Sequence, residues 1–242
     1  MRSQQSRTKL WLLSLGVLPV LLAVSVGADC PPPTESGSDH PAGLAELVLP
    51  SPRTDGDVSL EQTLLQRRSV RNYTGEPLTL DEVSQLLWAA QGITDARGYR
   101  TAPSAGATYP LEIYLVAGDI AEVSSGVYRY EPAEHKLVKV IDGDVRAGLA
   151  AAALAQSPVR EGAASIVFTA VYARTTRHYG DRGMTYVHME VGHAAQNVYL
   201  QAVALSLGTV VIGAFIDEQV SRILGLPADE QPLYIMPVGR VG

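Results

Sequence analysis

The chain has 242 residues, 46% of them hydrophobic and 18% charged, with a formal net charge of −6 and one cysteine. That length holds one domain with a sizeable core and not two, and interspersed charge without a Lys/Arg block leaves no footprint for nucleic acid. Cys30 alone builds neither a disulfide framework nor a thiolate zinc site.

In chain order, Arg2, Arg7 and Lys9 precede an uncharged Leu/Val-rich run from Leu10 to Ala28, the order of charge and apolarity that marks an export signal. Residues 1–28 are therefore expected to direct export, either cleaved after Val26-Gly27-Ala28 or retained as a membrane anchor. Lipidation of Cys30 is disfavoured by Asp29, which stands where a lipoprotein signal takes a small residue. Residues 29–58, rich in Pro, Ser, Gly, Asp and Thr, cannot bury enough apolar area to offset ordering entropy and are expected to form a flexible linker. The domain then covers 59–242. It opens with two hydroxyl-to-Glu/Gln spacings, Ser59 to Gln62 and Thr79 to Glu82, which mark two helix starts. In the second, Leu80, Val83, Leu86, Leu87 and Ala90 recur at helical spacing and Gly92 is the expected stop.

Short β-rich runs follow at Leu111–Ala117, Gly126–Tyr130 and Lys136–Ile141, the last two joined as a hairpin through Glu131–His135. Val145–Ala155 reads as an Ala-rich helix, Ser165–Tyr172 as a buried strand, and Tyr186–Leu207 as a long helix with Val187, Val191, Ala194, Val198, Ala202 and Leu205 on one face, ended by Gly208. Thr209–Phe215, Glu218–Leu224 and Leu233–Val238 close the chain as strand, helix and strand. The irregular order of helices and strands predicts an α+β fold.

Three segments could carry chemistry. Arg67-Arg68-Ser69-Val70-Arg71 packs three guanidinium groups and a hydroxyl into five residues, which suits either a solvated surface or a shared anion such as phosphate. Ala102-Pro103-Ser104-Ala105-Gly106-Ala107-Thr108-Tyr109-Pro110 is a plain loop or a small-residue edge that lets backbone N–H groups approach a flat ligand. In Val211-Ile212-Gly213-Ala214-Phe215 a glycine interrupts an apolar strand, the mark of a bulge, a close approach or tight packing. His188, Glu190 and His193 do not form a metal motif, because the histidines sit five apart rather than four.

Taken together, RRSVRNY, PSAGATYPLEIYLV and VIGAF before LYIMPVGR resemble the nitroreductase superfamily. HYGDRGMTYVHMEVGHAAQNVYLQAVALSLG is similar to its SagB-type dehydrogenase branch. The resemblance implies a mainly antiparallel mixed sheet flanked by helices, an intertwined homodimer, and FMN held between the subunits. It implies that Arg67 and Ser69, with Arg68 beside them and Arg240 adding to the site, hold the FMN phosphate. Arg71 would face the side of the ring where negative charge gathers on reduction. Pro103, Ser104, Ala105, Gly106 and Thr108 would line the flavin from the partner subunit, and Ile212, Gly213 and Ala214 would lie near the hydride-accepting N5.

The implied activity is ping-pong hydride transfer with a small-molecule substrate and a reduced nicotinamide, NAD(P)H, as one candidate donor. It would reduce nitro or quinone compounds or dehydrogenate a small or peptide-derived heterocycle. Azoline-oxidising members of the branch carry Lys-Tyr where this chain has His178-Tyr179; this pair is the candidate for proton transfer. A flavin-binding module without turnover is the alternative, made conceivable by export away from cytoplasmic nicotinamide.

Overall fold

The computed structural model describes residues 45–242. The alternating and continuous apolar runs become seven strands among the described residues: β1 (Glu46–Val48), β2 (Leu111–Ala117), β3 (Gly126–Glu131), β4 (Lys136–Asp142), β5 (Ala164–Ala170), β6 (Leu207–Thr209) and β7 (Gln231–Arg240). They form one sheet in the order β1-β4-β3-β2-β5-β7-β6, and every pairing of named strands is antiparallel. The central strands β2 and β5 pair over their full length, from Leu111 opposite Ala170 to Ala117 opposite Ala164. β5 is buried at all seven positions, because helices cover both faces of the sheet and leave neither side for polar residues.

The helices are α1 (Leu60–Gln66), α2 (Leu80–Gln91), α3 (Arg146–Ala152), α4 (Ser157–Glu161), α5 (Ala173–Tyr179), α6 (Arg182–Ala204) and α7 (Asp217–Leu224). On one side of the sheet, Val83, Leu86, Leu87 and Ala90 of α2 and Val187, Val191, Ala194, Val198 and Ala202 of α6 pack on Leu111, Ile113, Leu115, Ile166 and Phe168. On the other, Leu149 of α3, Val159 of α4 and Val220 and Leu224 of α7 pack on Tyr114, Val116 and Val167. Burying an aliphatic or aromatic side chain of this kind contributes roughly 1.5–3 kcal/mol, so the two apolar layers on a single sheet hold the fold together. α2 starts on a complete capping box: Thr79 Oγ1 accepts from the Glu82 N–H at 3.2 Å and Glu82 Oε2 accepts from the Thr79 N–H at 2.8 Å.

Several boundaries differ from the sequence expectation. β1 lies inside the segment expected to be linker, paired to β4, with Leu49 buried behind it. Pro50 is clasped in turn, since its carbonyl accepts from Ser84 Oγ at 2.6 Å and lies 3.0 Å from His135 Nε2. Three residues supply too little periodicity to be read as a strand; cross-strand pairing defines them. The expected helix Val145–Ala155 stops at Ala152, because Leu154 and Ala155 take φ of 57°, and a further short helix follows at Ser157–Glu161. α6 begins four residues before Tyr186 and ends at Ala204, with Ser206 taking the left-handed conformation that Gly208 was expected to supply. Gly208 instead sits in β6, where a Cβ would come within 2.7 Å of Val70. Only Ile212 continues the expected strand Thr209–Phe215, through an isolated bridge to Ile235. α5 has no apolar stripe in sequence and was not expected. The expected export signal, residues 1–28, lies outside the described residues, among which no helix is long and apolar enough to cross a membrane.

Candidate functional site

The arginine segment leaves α1 at Arg67, whose N–H closes the helix on the Thr63 carbonyl at 2.9 Å, and runs along the edge made by β6 and β7. Val70 donates to the Thr209 carbonyl at 2.9 Å and Thr74 to the Arg240 carbonyl at 3.0 Å. The Tyr73 hydroxyl lies 3.1 Å from the Pro237 carbonyl, and burial pushes this phenol far above its ordinary range. Gly239 permits the approach, since a Cβ there would meet Tyr73 at 2.6 Å.

Tyr199 of α6 ties this segment to the VIGAF run. Its ring lies under the Arg67 guanidinium, 5.1 Å from the centroid. Its hydroxyl accepts the Val211 N–H at 2.8 Å and shares a hydrogen bond with Ser69 Oγ at 3.1 Å. Ile212 is pinned by two backbone bonds to Ile235, after which Gly213 and Ala214 emerge exposed. Arg71 is exposed, and among the described residues no hydrogen bond or ion pair engages its guanidinium. One edge thus presents Arg67, Ser69 and Arg71 beside exposed backbone at Gly213 and Ala214, a donor-rich surface suited to an anion.

Two of the expected phosphate ligands are used otherwise. Arg68 donates to the carbonyls of Leu65 and Arg67, closing the end of α1. Arg240 is turned away from the cluster: it donates to the Pro77 carbonyl at 3.0 Å and grips both carboxylate oxygens of Glu82 at 3.0 Å. Only the family resemblance assigned Arg240 to an anion site. Its planar fork matches the Glu82 carboxylate equally well.

The small-residue loop lies elsewhere, against α5. Gly106 sits at φ 61°, and a Cβ on it would fall 2.6 Å from the Tyr179 hydroxyl. Thr108 Oγ1 donates to the Ala105 carbonyl or shares its proton with Thr175 Oγ1 at 2.8 Å. Ser104 Oγ accepts the Tyr109 N–H at 2.9 Å, while Pro103 at its start is exposed. Tyr179 stands edge-on between His178, with ring centroids 4.5 Å apart, and Tyr186, 5.1 Å away; His178 is exposed.

The structure therefore sorts the expected residues into two assemblies. Arg67, Ser69 and Arg71 join Ile212, Gly213 and Ala214; Ser104 to Thr108 join His178 and Tyr179. Among the described residues no hydrogen bond, ion pair or ring contact links one assembly to the other. Sequence reasoning missed Tyr199 and Thr175. Tyr199 follows Val198 at the rim of the apolar stripe, and a partly buried tyrosine whose hydroxyl needs a partner is a signal that could have singled it out. On α6, His188 and His193 are exposed and His188 pairs with the Tyr172 hydroxyl at 2.7 Å, whereas Glu190 points inward.

An antiparallel sheet covered on both faces, with a guanidinium cluster at one edge and a glycine-bearing loop set against tyrosines, defines an α+β scaffold with an edge suited to an anionic ligand. The chain belongs to the nitroreductase family, whose model matches residues 64–240. It is 53% identical over 184 residues to a Methanocaldococcus jannaschii protein that bears the name "putative nitroreductase", covering 76% of this chain and 92% of that one. It is 25% identical over 225 residues to trifolitoxin operon protein TfxC of Rhizobium leguminosarum bv. trifolii, covering 86% of this chain and 63% of the relative. Among solved structures, a "putative nitroreductase" from Ralstonia eutropha superposes with a TM-score of 0.70 at 30% identity, over 81% of this chain and 90% of that one. The NADPH:FMN oxidoreductase from Vibrio harveyi, complexed with NAD+, superposes with a TM-score of 0.54 at 25% identity, over 75% and 68%.

Proposed function

We propose that this oxidoreductase is FMN-dependent, that it belongs to the SagB-type dehydrogenase branch, and that each flavin lies between two copies of the chain. The observation that carries the reading is the division of the candidate residues into two assemblies, each half of a site. Arg67 and Arg71 offer guanidinium donors, with the Ser69 hydroxyl held beside them by Tyr199, for a phosphate and for the electron-rich side of a ring, while Gly106 and its neighbours present a surface without side-chain bulk. A second copy is also supported by the face of α1, where Leu60, Leu64 and Leu65 are more than half exposed; such a patch is costly to leave in water.

FMN, when bound, supplies a ring atom that accepts and returns hydride. Arg67 and Ser69 hold the phosphate through charge-assisted and neutral hydrogen bonds. Gly213 and Ala214 give their backbone to the ring edge, the Ser104–Thr108 loop of the second copy covers the flavin, and His178 and Tyr179 supply exchangeable protons beside that loop. Likeness to a trifolitoxin operon protein supports dehydrogenation of a peptide-derived heterocycle. Histidine at position 178 in place of lysine supports reduction of nitro or quinone compounds, and on balance the second is favoured. NAD(P)H is the proposed donor, in keeping with the Vibrio harveyi neighbour. The charged then apolar order of residues 1–28 extends the proposal to an exported protein that takes up FMN after translocation.

The test is to purify the chain, add FMN in excess, remove what is free, and record the absorbance spectrum and the mass in solution. NADH and NADPH are then added separately. A yellow dimer bleached by at least one donor is expected. A colourless monomer after reconstitution overturns the reading.

A further inference from the structure

Behind the Ser104–Thr108 loop lies a buried polar cluster that takes no part in the site as described so far. Glu190, on the inward face of α6, is 3% exposed, and Gln91, the last residue of α2, is 0% exposed. Arg100 stacks on the Tyr109 ring, 4.5 Å from its centroid, and donates to Gln91 Oε1 at 3.1 Å. Three buried atoms of the cluster have no partner: Gln91 Nε2, Arg100 Nε and Glu190 Oε1. Two are donors and one is an acceptor, and a buried polar atom left unmatched is costly. Ser104, the first hydroxyl of the loop, accepts the Tyr109 N–H and so is joined to the cluster through Tyr109, on whose ring Arg100 stacks.

We propose that Glu190 is a positioning residue for the Ser104–Thr108 loop: as a carboxylate it accepts from Ser104 and fixes the loop, and as a neutral acid it releases it. The argument is one of donor count. The Ser104 hydroxyl, Gln91 Nε2 and Arg100 Nε are donors, the last two unmatched, and the Glu190 carboxylate, its Oε1 also unmatched, is the acceptor available to them. Protonation adds a fourth donor and removes the charge that would strengthen a bond from any of them. Burial pushes the Glu190 carboxyl up to about 7, opposed by the nearness of Ser104, Arg100 and Gln91. Gln91 faces it from α2 and Arg100 and Ser104 from the loop. Glu112, Tyr109 and Arg174 act on Arg100 rather than on Glu190 directly, with Arg174 paired to Glu112 at 2.5 Å.

The consequence for flavin rests on the FMN reading, so the experiment has one arm that needs no flavin. The protection factor of the Tyr109 amide is followed by hydrogen exchange in the full chain from pH 5.5 to 8.5, and the FMN dissociation constant is measured over the same range. In the unsubstituted chain, protection is expected to fall about fivefold as pH drops through about 7, the difference between a charge-assisted and a neutral bond, with FMN affinity falling in step. Glu190→Gln should give low, pH-independent protection. If Glu190→Gln does not fold, Ser104→Ala decides, because the pH step should vanish with the hydroxyl through which Glu190 acts. A Glu190→Gln profile that overlays the original, or a step that survives in Ser104→Ala, overturns the inference even where FMN binds. A chain that takes up no FMN yet shows the step and its loss in Glu190→Gln upholds the inference and overturns the FMN reading.

Discussion

Replacing Tyr199 by Phe removes one oxygen from the joint between the arginine segment and the VIGAF run. That oxygen accepts the Val211 N–H at 2.8 Å and shares a hydrogen bond with Ser69 Oγ at 3.1 Å. Each neutral bond contributes about 0.5–1.5 kcal/mol net, and a half-buried N–H left unmatched costs about 1–3 kcal/mol, so a loss of about 2 kcal/mol is expected. For a domain of this size that is a drop of about 4–8 °C in Tm. The phenyl ring remains under Arg67, so the cation–π contact persists and Phe isolates the hydroxyl. Tyr199→Leu removes the ring as well and should cost about 0.5–1 kcal/mol more. With Ser69 no longer held, FMN affinity should weaken about fivefold, equivalent to about 1 kcal/mol. Thermal unfolding of the apo chain and a fluorescence titration with FMN measure both effects. A Tyr199→Phe chain with unchanged Tm and unchanged affinity would refute the joint and, with it, the placement of Ser69 and Arg67 in one site.

Arg67→Ala should raise the FMN dissociation constant about 10- to 150-fold, the range for one hydrogen-bonded charge at about 1.5–3 kcal/mol. Arg240→Ala should leave that constant within about twofold while lowering stability by about 2 kcal/mol through loss of the Glu82 grip; titration and urea unfolding separate the two. His135, half-buried between Tyr130, Ser84 and Pro50, has a pKa held below its ordinary 6.5 by desolvation. The unfolded chain therefore binds more protons in the window just below 6.5, and stability should be full above that value and fall as pH drops through the window. Urea midpoints at pH 5 and 7.5 should show this step, and His135→Gln should flatten it.

The central architecture was legible because its signals are local. The runs Leu111–Ala117 and Gly126–Tyr130 have apolar faces long enough to be counted, and Thr79 and Glu82 cap α2 at the expected spacing. β1 was not legible, because residues 46–48 acquire their structure from β4 and from Pro50 held by Ser84 and His135, which lie 34 and 85 positions away. α5 was missed because its contacts are polar, Thr175 to Thr108 and Tyr179 to Gly106, and leave no periodic stripe. In the site, the arginine cluster stood out as a concentration of charge. Which arginines are free depends on carbonyl and carboxylate partners that composition does not record, so Arg68 and Arg240 could not be told from Arg67 and Arg71.

Whether the two assemblies work within one chain or across two is decided by complementation. Gly106→Ala places a Cβ 2.6 Å from the Tyr179 hydroxyl at a φ of 61°, damaging the loop half, while Arg67→Ala damages the phosphate half; each alone should retain little FMN. In a two-fold dimer whose sites each draw on both copies, mixing the two chains after partial unfolding assorts them at random, so half the dimers are mixed. In every mixed dimer one site carries both substitutions and the other carries neither, which restores about a quarter of all sites. If both halves of a site came from one chain, every site in the mixture would keep one defect and no FMN would be recovered. Flavin bound per chain after mixing therefore reads the geometry directly: about one quarter of the unsubstituted value places each site between two copies, and a value no higher than the separate variants places it within one.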